Sequence, residues 1–222
     1  MKNGLLNVNI NGNKKLVNNE NVRFMIWNLP AVVTCPYRTA MCEKSCYARK
    51  AERVYPQVLP SRLENLEDSK KESFAAYMIR TIEYYLAKKS FNGKKVYFRI
   101  HESGDFYNQE YFNKWMEIIR YFENDPRIVF EAYTKSIRYA IAAGYGISDF
   151  PSNFIVRASV WDDTKVEELE LIERYNFPIY TAFPAQDFEQ LAQGYTECTC
   201  EDCAKCGKCY KMEDHKIAVR IH

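Results

Sequence analysis

A chain of 222 residues, 47% hydrophobic and 15% aromatic, carries enough apolar material for one well-buried domain, which excludes a disordered or low-complexity protein. Its 31 basic and 29 acidic residues leave a net charge of +2, which argues against a protein built on phosphate neutralisation but allows a local basic patch. The N-terminus MKNGLLNVNINGNKK has no apolar leader core, and no stretch reaches the roughly 20 apolar residues of a membrane span, so a cytoplasmic protein without membrane contact is expected.

Residues 5–17 alternate weakly around Asn11-Gly12, a hairpin-turn pair. VRFMIW (22–27) reads as a buried strand that runs into the loop TCPYRTAMCEKSCYARK (34–50). Segment 61–90 predicts one or two helices opening at a Ser cap, with Phe74, Tyr77, Met78, Ile82 and Leu86 as the apolar stripe. Strand and helix then alternate: KVYFRI (95–100), a helix over 108–124, RIVFEAY (127–133), and a short helix over 136–146 that ends at glycine. NFIVRASV (153–160) is followed by a helix over 162–176 whose acidic residues suit its N-terminal dipole, then by the strand FPIYTAF (177–183). A cysteine run, CTCEDCAKCGKC (198–209), precedes a sixth strand, KIAVRI (216–221).

This alternation predicts an α/β domain with a parallel sheet covered by helices. Six strands are too few for a closed eight-stranded barrel and suit an open doubly wound sheet or an incomplete barrel. In either, chemistry belongs at the carboxyl ends of the strands. Those ends are the cysteine loop, HESGDF (101–106), AYTKS (132–136), RASVWDD (157–163) and TAFP (181–184).

All eight cysteines fall in two segments: Cys35, Cys42 and Cys46 in the first, and Cys198, Cys200, Cys203, Cys206 and Cys209 in the second. The cytosol keeps thiols reduced, so metal ligation explains them better than disulfides do. For the first loop the readings are buried free thiols, a zinc site completed from elsewhere, and an iron–sulfur cluster with one iron left open. The cluster is favoured because thiolates are its standard ligands. The overlapping C-x2-C-x2-C of the second segment also favours an iron–sulfur cluster, with Cys198 or Cys200 as fourth ligand, over a zinc site or disulfides. In HESGDF, Asp105 is either a functional group or the cap of the next helix, with Ser103-Gly104 as its turn. His101 is either a core residue or a base; His215 and His222 read as surface residues. No P-loop, G-x-G-x-x-G, H-E-x-x-H or G-x-S-x-G motif occurs.

The ordered set WNLPAVVTCP, MCEKSCYARK, RIHESGDFYNQEYFNKW, AYTKS, RASVWDD and CEDCAKCGKCY, from Val22 to Tyr210, resembles the phage gene product 88 family, which looks like a distant branch of the radical-SAM-like iron–sulfur proteins. The resemblance implies one radical-SAM-like domain: an N-terminal hairpin (1–20), an incomplete (β/α)6 barrel (22–193), and a Cys-rich segment with the last strand (194–222). It implies a [4Fe-4S] cluster on Cys35, Cys42 and Cys46 whose open iron binds S-adenosylmethionine. Glu102, Ser103, Gly104 and Asp105 would contact the cofactor, and Thr134, Lys135, Arg157 and Ser159 would line its pocket. The five C-terminal cysteines would hold an auxiliary cluster. The substrate would be a small molecule, a nucleotide or a peptide, and turnover would need an electron donor. If the chain is phage-encoded, it works in the host cytoplasm.

The loop spacing departs from the radical SAM pattern. It is C-x6-C-x3-C rather than C-x3-C-x2-C, Ser45 precedes the third cysteine and Tyr47 follows it, and HESGDF replaces a Gly-Gly-Glu-like segment. Two other readings stand beside the enzyme: a non-enzymatic iron–sulfur protein with a redox, structural or regulatory role, and a zinc-stapled nucleic-acid-binding module using Arg49, Lys50, Arg53 and the tyrosines.

Overall fold

The apolar runs of the sequence pair into one parallel sheet. In the computed structural model, which describes residues 4–10, 15–199, 202–211 and 214–221, its strands are β1 (Val22–Trp27), β2 (Lys95–Ile100), β3 (Ile128–Thr134), β4 (Phe154–Val160), β5 (Ile179–Pro184), β6 (Thr196–Glu197) and β7 (Lys216–Ile221). Their order is β1-β2-β3-β4-β5-β7-β6, with every neighbouring pair parallel. From β1 to β5 each connection steps in the same direction. Right-handed crossovers then place all connecting helices on one face, which removes the doubly wound alternative and curls the sheet into a half-barrel.

The helices are α1 (Ala40–Lys44), α2 (Tyr47–Val54), α3 (Val58–Lys70), α4 (Phe74–Leu86), α5 (Gln109–Tyr121), α6 (Ile137–Ala142), α7 (Val166–Arg174), α8 (Phe188–Leu191) and α9 (Cys203–Cys206). Among the described residues none is long and apolar enough to cross a membrane. Strand side chains alternate between faces. On β2, Val96, Phe98 and Ile100 join Phe74, Met78 and Ile82 of α4 and Trp115 and Ile119 of α5 in the main core. Burying each such side chain contributes about 1.5–3 kcal/mol. Tyr97 turns the other way and packs with Phe24, Ile26 and Tyr210 on the concave face.

Six predicted strands occur within two residues of their expected ends, and segment 61–90 resolves into α3 and α4. The helix expected from residue 162 starts at Val166, because the residues before it are engaged elsewhere. Trp161 N–H donates to Thr164 Oγ1 at 2.8 Å, and Asp163 Oδ2 accepts from Met41 N–H at 2.8 Å. The two short helices of the cysteine loop and the two-residue β6 are additions that span too few residues to show a period. The expected hairpin tip, Asn11-Gly12, lies outside the described residues. Before it, Asn9 forms an antiparallel bridge with Ile26, so the N-terminal segment rests on the edge strand β1.

Candidate functional site

Hydrogen bonds fasten the loop after β1 to the exit of β2. Asn28 Oδ1 accepts from the N–H groups of Glu102 and Ser103 at 2.8 and 2.9 Å, and Ser103 Oγ donates to the Leu29 carbonyl at 2.9 Å. Gly104 adopts φ +87°, and a Cβ there would stand 2.6 Å from Thr34 Oγ1 and 2.7 Å from Leu29 Cβ. Only glycine allows so close an approach, which sets Thr34, and hence Cys35, against the β2 exit. Three more contacts fix the loop from outside. Glu52 Oε1 accepts from Ala31 N–H and from Arg62 Nη1, both at 2.8 Å; Tyr47 Oη donates to the Glu102 carbonyl at 2.6 Å; and Asp163 holds Met41. Asn28, Tyr47 and Asp163 lie inside the motifs WNLPAVVTCP, MCEKSCYARK and RASVWDD, where nothing about their type marks them as fasteners of the loop, and Glu52 lies outside every motif.

Cys35, Cys42 and Cys46 are half-buried free thiols. Burial, followed by the charges of Asp105, Cys42 and Cys46, pushes the Cys35 thiol up to about 12. Burial also raises Cys42, against the Lys135 ammonium, which bonds its sulfur and favours the thiolate. The three thiols thus share one electrostatic neighbourhood. At Cys35 and Cys42, bound metal in place of the protons would reverse the direction of these shifts. Among the described residues no three His, Cys, Asp or Glu side chains converge tightly enough to hold one ion. By donor chemistry alone, three thiols on one loop are ligands that either zinc or an iron–sulfur cluster takes.

Beside the loop lies a cleft of about 690 Å³ whose lining includes Tyr37, Arg38, Thr134, Lys135, Ser159 and Asp163. Asp105 organises its floor: Oδ1 accepts from Thr134 Oγ1 at 2.5 Å, and Oδ2 accepts from Lys135 N–H at 2.9 Å. Burial raises the Asp105 carboxyl above its usual range, and these donors pull it back. Lys135 Nζ donates to Ser159 Oγ at 2.7 Å. Asp105 is therefore a strut between two strand exits. The cap of α5 is Asn108, which accepts from Tyr111 N–H at 2.8 Å.

The structure brings Thr134, Lys135 and Ser159 together at the cleft. Ser103 and Gly104 are taken up in packing against the β1 loop, and Glu102 is half-buried outside the cleft lining, where its Oε2 accepts from Asn28 Nδ2 at 3.4 Å. Arg157 stands apart, fully buried on the concave face, where it donates to the carbonyls of Asp214 and Lys211 at 2.5 and 2.9 Å. His101 is a core residue: its Nε2 lies 2.8 Å from Tyr111 Oη, and burial, with the Arg99 charge, pushes it down to about 3. His215 is exposed, and His222 lies outside the described residues.

The C-terminal segment covers the concave face. Tyr210 stacks on Tyr97 with ring centroids 4.1 Å apart, and Asp202 caps α9 through the N–H groups of Ala204 and Lys205. Cys198, Cys203, Cys206 and Cys209 are half-buried and outside any disulfide; Cys200 lies outside the described residues. Burial and then Glu131 push Cys209 up to about 12, while a hydrogen bond from Tyr133 works the other way. The charges of both Cys198 and Cys209 reach Tyr180, so these two thiols share a neighbourhood, as the first three do.

Two curated relatives match part of the chain. The Gene 88 protein of Mycobacterium phage L5 is 31% identical over 105 residues, covering 46% of this chain and 43% of that protein. The Gene 88 protein of Mycobacterium phage D29 is 34% identical over 107 residues, covering 46% and 42%. The chain thus spans under half the length of the curated relatives it matches. No solved structure matches. The family model described as Gene product 88 matches residues 5–220, nearly the whole sequence, and on that match the chain belongs to the gene product 88 family.

Proposed function

We propose that the chain is a radical-SAM-like iron–sulfur protein in which Cys35, Cys42 and Cys46 hold a [4Fe-4S] cluster with one iron open, and the adjoining cleft takes S-adenosylmethionine. One observation supports this reading: the loop that carries three free thiols also lends Pro36, Tyr37 and Thr39 to a cleft lined by Thr134, Lys135 and Ser159, and Lys135 of that lining bonds the Cys42 sulfur. When bound, a cluster of this kind supplies one electron to the cofactor's sulfonium.

The chain's own part is to bind and orient. Lys135, held by Ser159 and by its backbone bond to Asp105, offers a cation to a carboxylate at the edge of the cysteine loop. Glu102, half-buried at the exit of β2 and bonded by Asn28 Nδ2, would offer its carboxylate to an amino group. Asp105 acts as a positioning residue, because its oxygens already accept from Thr134, Lys135 and Phe106. The C-terminal cysteines hold a second, auxiliary centre. The substrate is a small molecule, a nucleotide or a peptide, with an external electron donor.

The test is electron paramagnetic resonance on anaerobically purified, dithionite-reduced protein, with and without S-adenosylmethionine. A reduced-cluster signal that shifts on adding the cofactor, and no longer does so in Cys35→Ala, is the expected result. An unmoved signal would leave a redox or structural iron–sulfur protein. Silence with zinc in the elemental analysis would overturn the choice of metal.

A further inference from the structure

Two short helices on the outside of the half-barrel expose apolar side chains beside unpaired charges of opposite sign. On α2, Lys50 and Arg53 are exposed next to Val54, which is 55% exposed. Spacings of three and four residues put these side chains on one face of the helix. Arg62 of α3 donates to the Ala48 carbonyl at 3.1 Å and to Glu52 Oε1 at 2.8 Å, which seats α2 on α3. Tyr55 at the corner between the two helices is exposed, as are Leu59 and Leu63, one turn apart on α3. The carboxylates nearby are already taken, Glu43 by Arg38 and Arg49 and Glu52 by Arg62. Among the described residues neither Lys50 nor Arg53 has an ion-pair partner.

The other helix is α7. Val166, 66% exposed, and Leu169 share a face with the exposed Glu170 and Glu173, at spacings of three, four and seven residues. Arg138 takes Glu168, and among the described residues neither Glu170 nor Glu173 has an ion-pair partner. An apolar centre with charge at its margin is the anatomy of a protein interface. Valine and leucine do nothing for phosphate, which lysine and arginine contact, so a nucleic acid does not account for the apolar part of the basic face. The chain's net charge is only +2, so the two signs are segregated on the surface rather than in excess. Both faces are open, and hence neither covers the other within one chain.

We infer that the α2–α3 face of one copy docks on α7 of a second copy, with Lys50 and Arg53 against Glu170 and Glu173, and Val54 and Tyr55 against Val166 and Leu169. In a two-fold pair each copy gives its α2 to the other's α7 and receives the reverse. α2 starts directly after Cys46, and α7 lends Glu168 and Ile172 to the cleft, so the contact joins the cysteine loop of one copy to a cleft wall of the next. The inference needs no metal and stands apart from the proposed chemistry. Each face offers far fewer side chains than the 20–30 residues a side of a standard interface, so the association is expected to be weak.

The experiment is sedimentation equilibrium on the full chain from micromolar to millimolar concentration, with a reductant present to prevent disulfides between copies. The mass is expected to rise with concentration and to fall with added salt, which screens exposed charges. Lys50→Glu with Arg53→Glu, and separately Glu170→Lys with Glu173→Lys, should each weaken association by about tenfold or more. All four side chains are exposed, so the fold is not at stake. Mixing the two double variants should restore association, because the first keeps an acidic α7 and the second a basic α2. One chain carrying all four changes should associate with itself for the same reason. A parent that stays monomeric at millimolar concentration, a double variant at either helix that associates like the parent, or a mixture that fails to recover would each overturn the contact.

Discussion

The loop of Cys35, Cys42 and Cys46 is held by neutral hydrogen bonds to the neighbouring strand exit and borders a cleft of about 690 Å³. The segment of Cys203, Cys206 and Cys209 lies over stacked rings and buried charge, and the pocket beside Cys198, Cys206 and Cys209 is only about 30 Å³. Both sets of thiols are half-buried, yet one is placed next to space for a ligand and the other is packed shut. Spacing between cysteines does not make this distinction. It comes from what each segment packs against: the rim of the half-barrel in one case and its concave face in the other.

The largest expected effect separates the two regions at Gly104. Its φ of +87° costs a non-glycine residue about 1–2 kcal/mol, and a Cβ wedged 2.6 Å from Thr34 Oγ1 adds about 1–3 kcal/mol of overpacking. Gly104→Ala should therefore lower stability by about 3 kcal/mol in urea titration. On the proposed reading, in which both sets of cysteines bind metal, it should also strip metal from the first loop and leave the second set loaded. Equal loss at both sites would mean that the regions are not independent.

Acid should act on the same side. His101 N–H donates to the Trp27 carbonyl at 3.0 Å beneath the first loop, and its imidazole is held neutral down to about pH 3, against about 6.5 in an unfolded chain. Below pH 6.5 the unfolded chain takes up a proton that the folded chain refuses. The stabilisation is therefore complete above 6.5 and falls as pH drops toward 3. From pH 7 to pH 5 the loss is about 2 kcal/mol. His101→Asn tolerates the observed φ of 70° and should flatten that slope in urea midpoints measured across the range. A variant with the parent's slope would show that the titrating group lies elsewhere.

How much of this was legible in the sequence depends on how local the signal is. Alternation in KVYFRI and NFIVRASV marks strands because one face of each meets the helices. The choice between a doubly wound sheet and a half-barrel needs strand order, which no window of residues contains. HESGDF points to a special site, and residue type offers Asp105 as the cap of the next helix; the structure makes Asn108 the cap and sends Asp105 across to Thr134 and Lys135, a reach that no local signal contains. Arg157 and Ser159 share a face of β4 by their two-residue spacing. Position along the strand sends one to the C-terminal segment and the other to the cleft. Arg99 and Glu131 sit inside apolar strands, and a charge at such a position is the one local hint that the concave face is not an ordinary core.

The smallest effect probes the packed side alone. Tyr210 is buried against Tyr97, with ring planes 10° apart, and it follows Cys209 directly. Tyr210→Leu keeps most of the apolar burial but removes the ring pair, which contributes about 0.5–1.5 kcal/mol beyond burial. The expected loss is about 1 kcal/mol in global unfolding. The local effect should be clearer, because the stack presses the segment's last cysteine toward Tyr133. Metal-free Tyr210→Leu should therefore show faster thiol modification at Cys203, Cys206 and Cys209, with Cys35, Cys42 and Cys46 unchanged. Mass mapping of the labelled cysteines decides the matter: acceleration in both sets would couple the rim to the concave face, and acceleration in neither would mean that buried charge, not the stacked rings, holds the segment down.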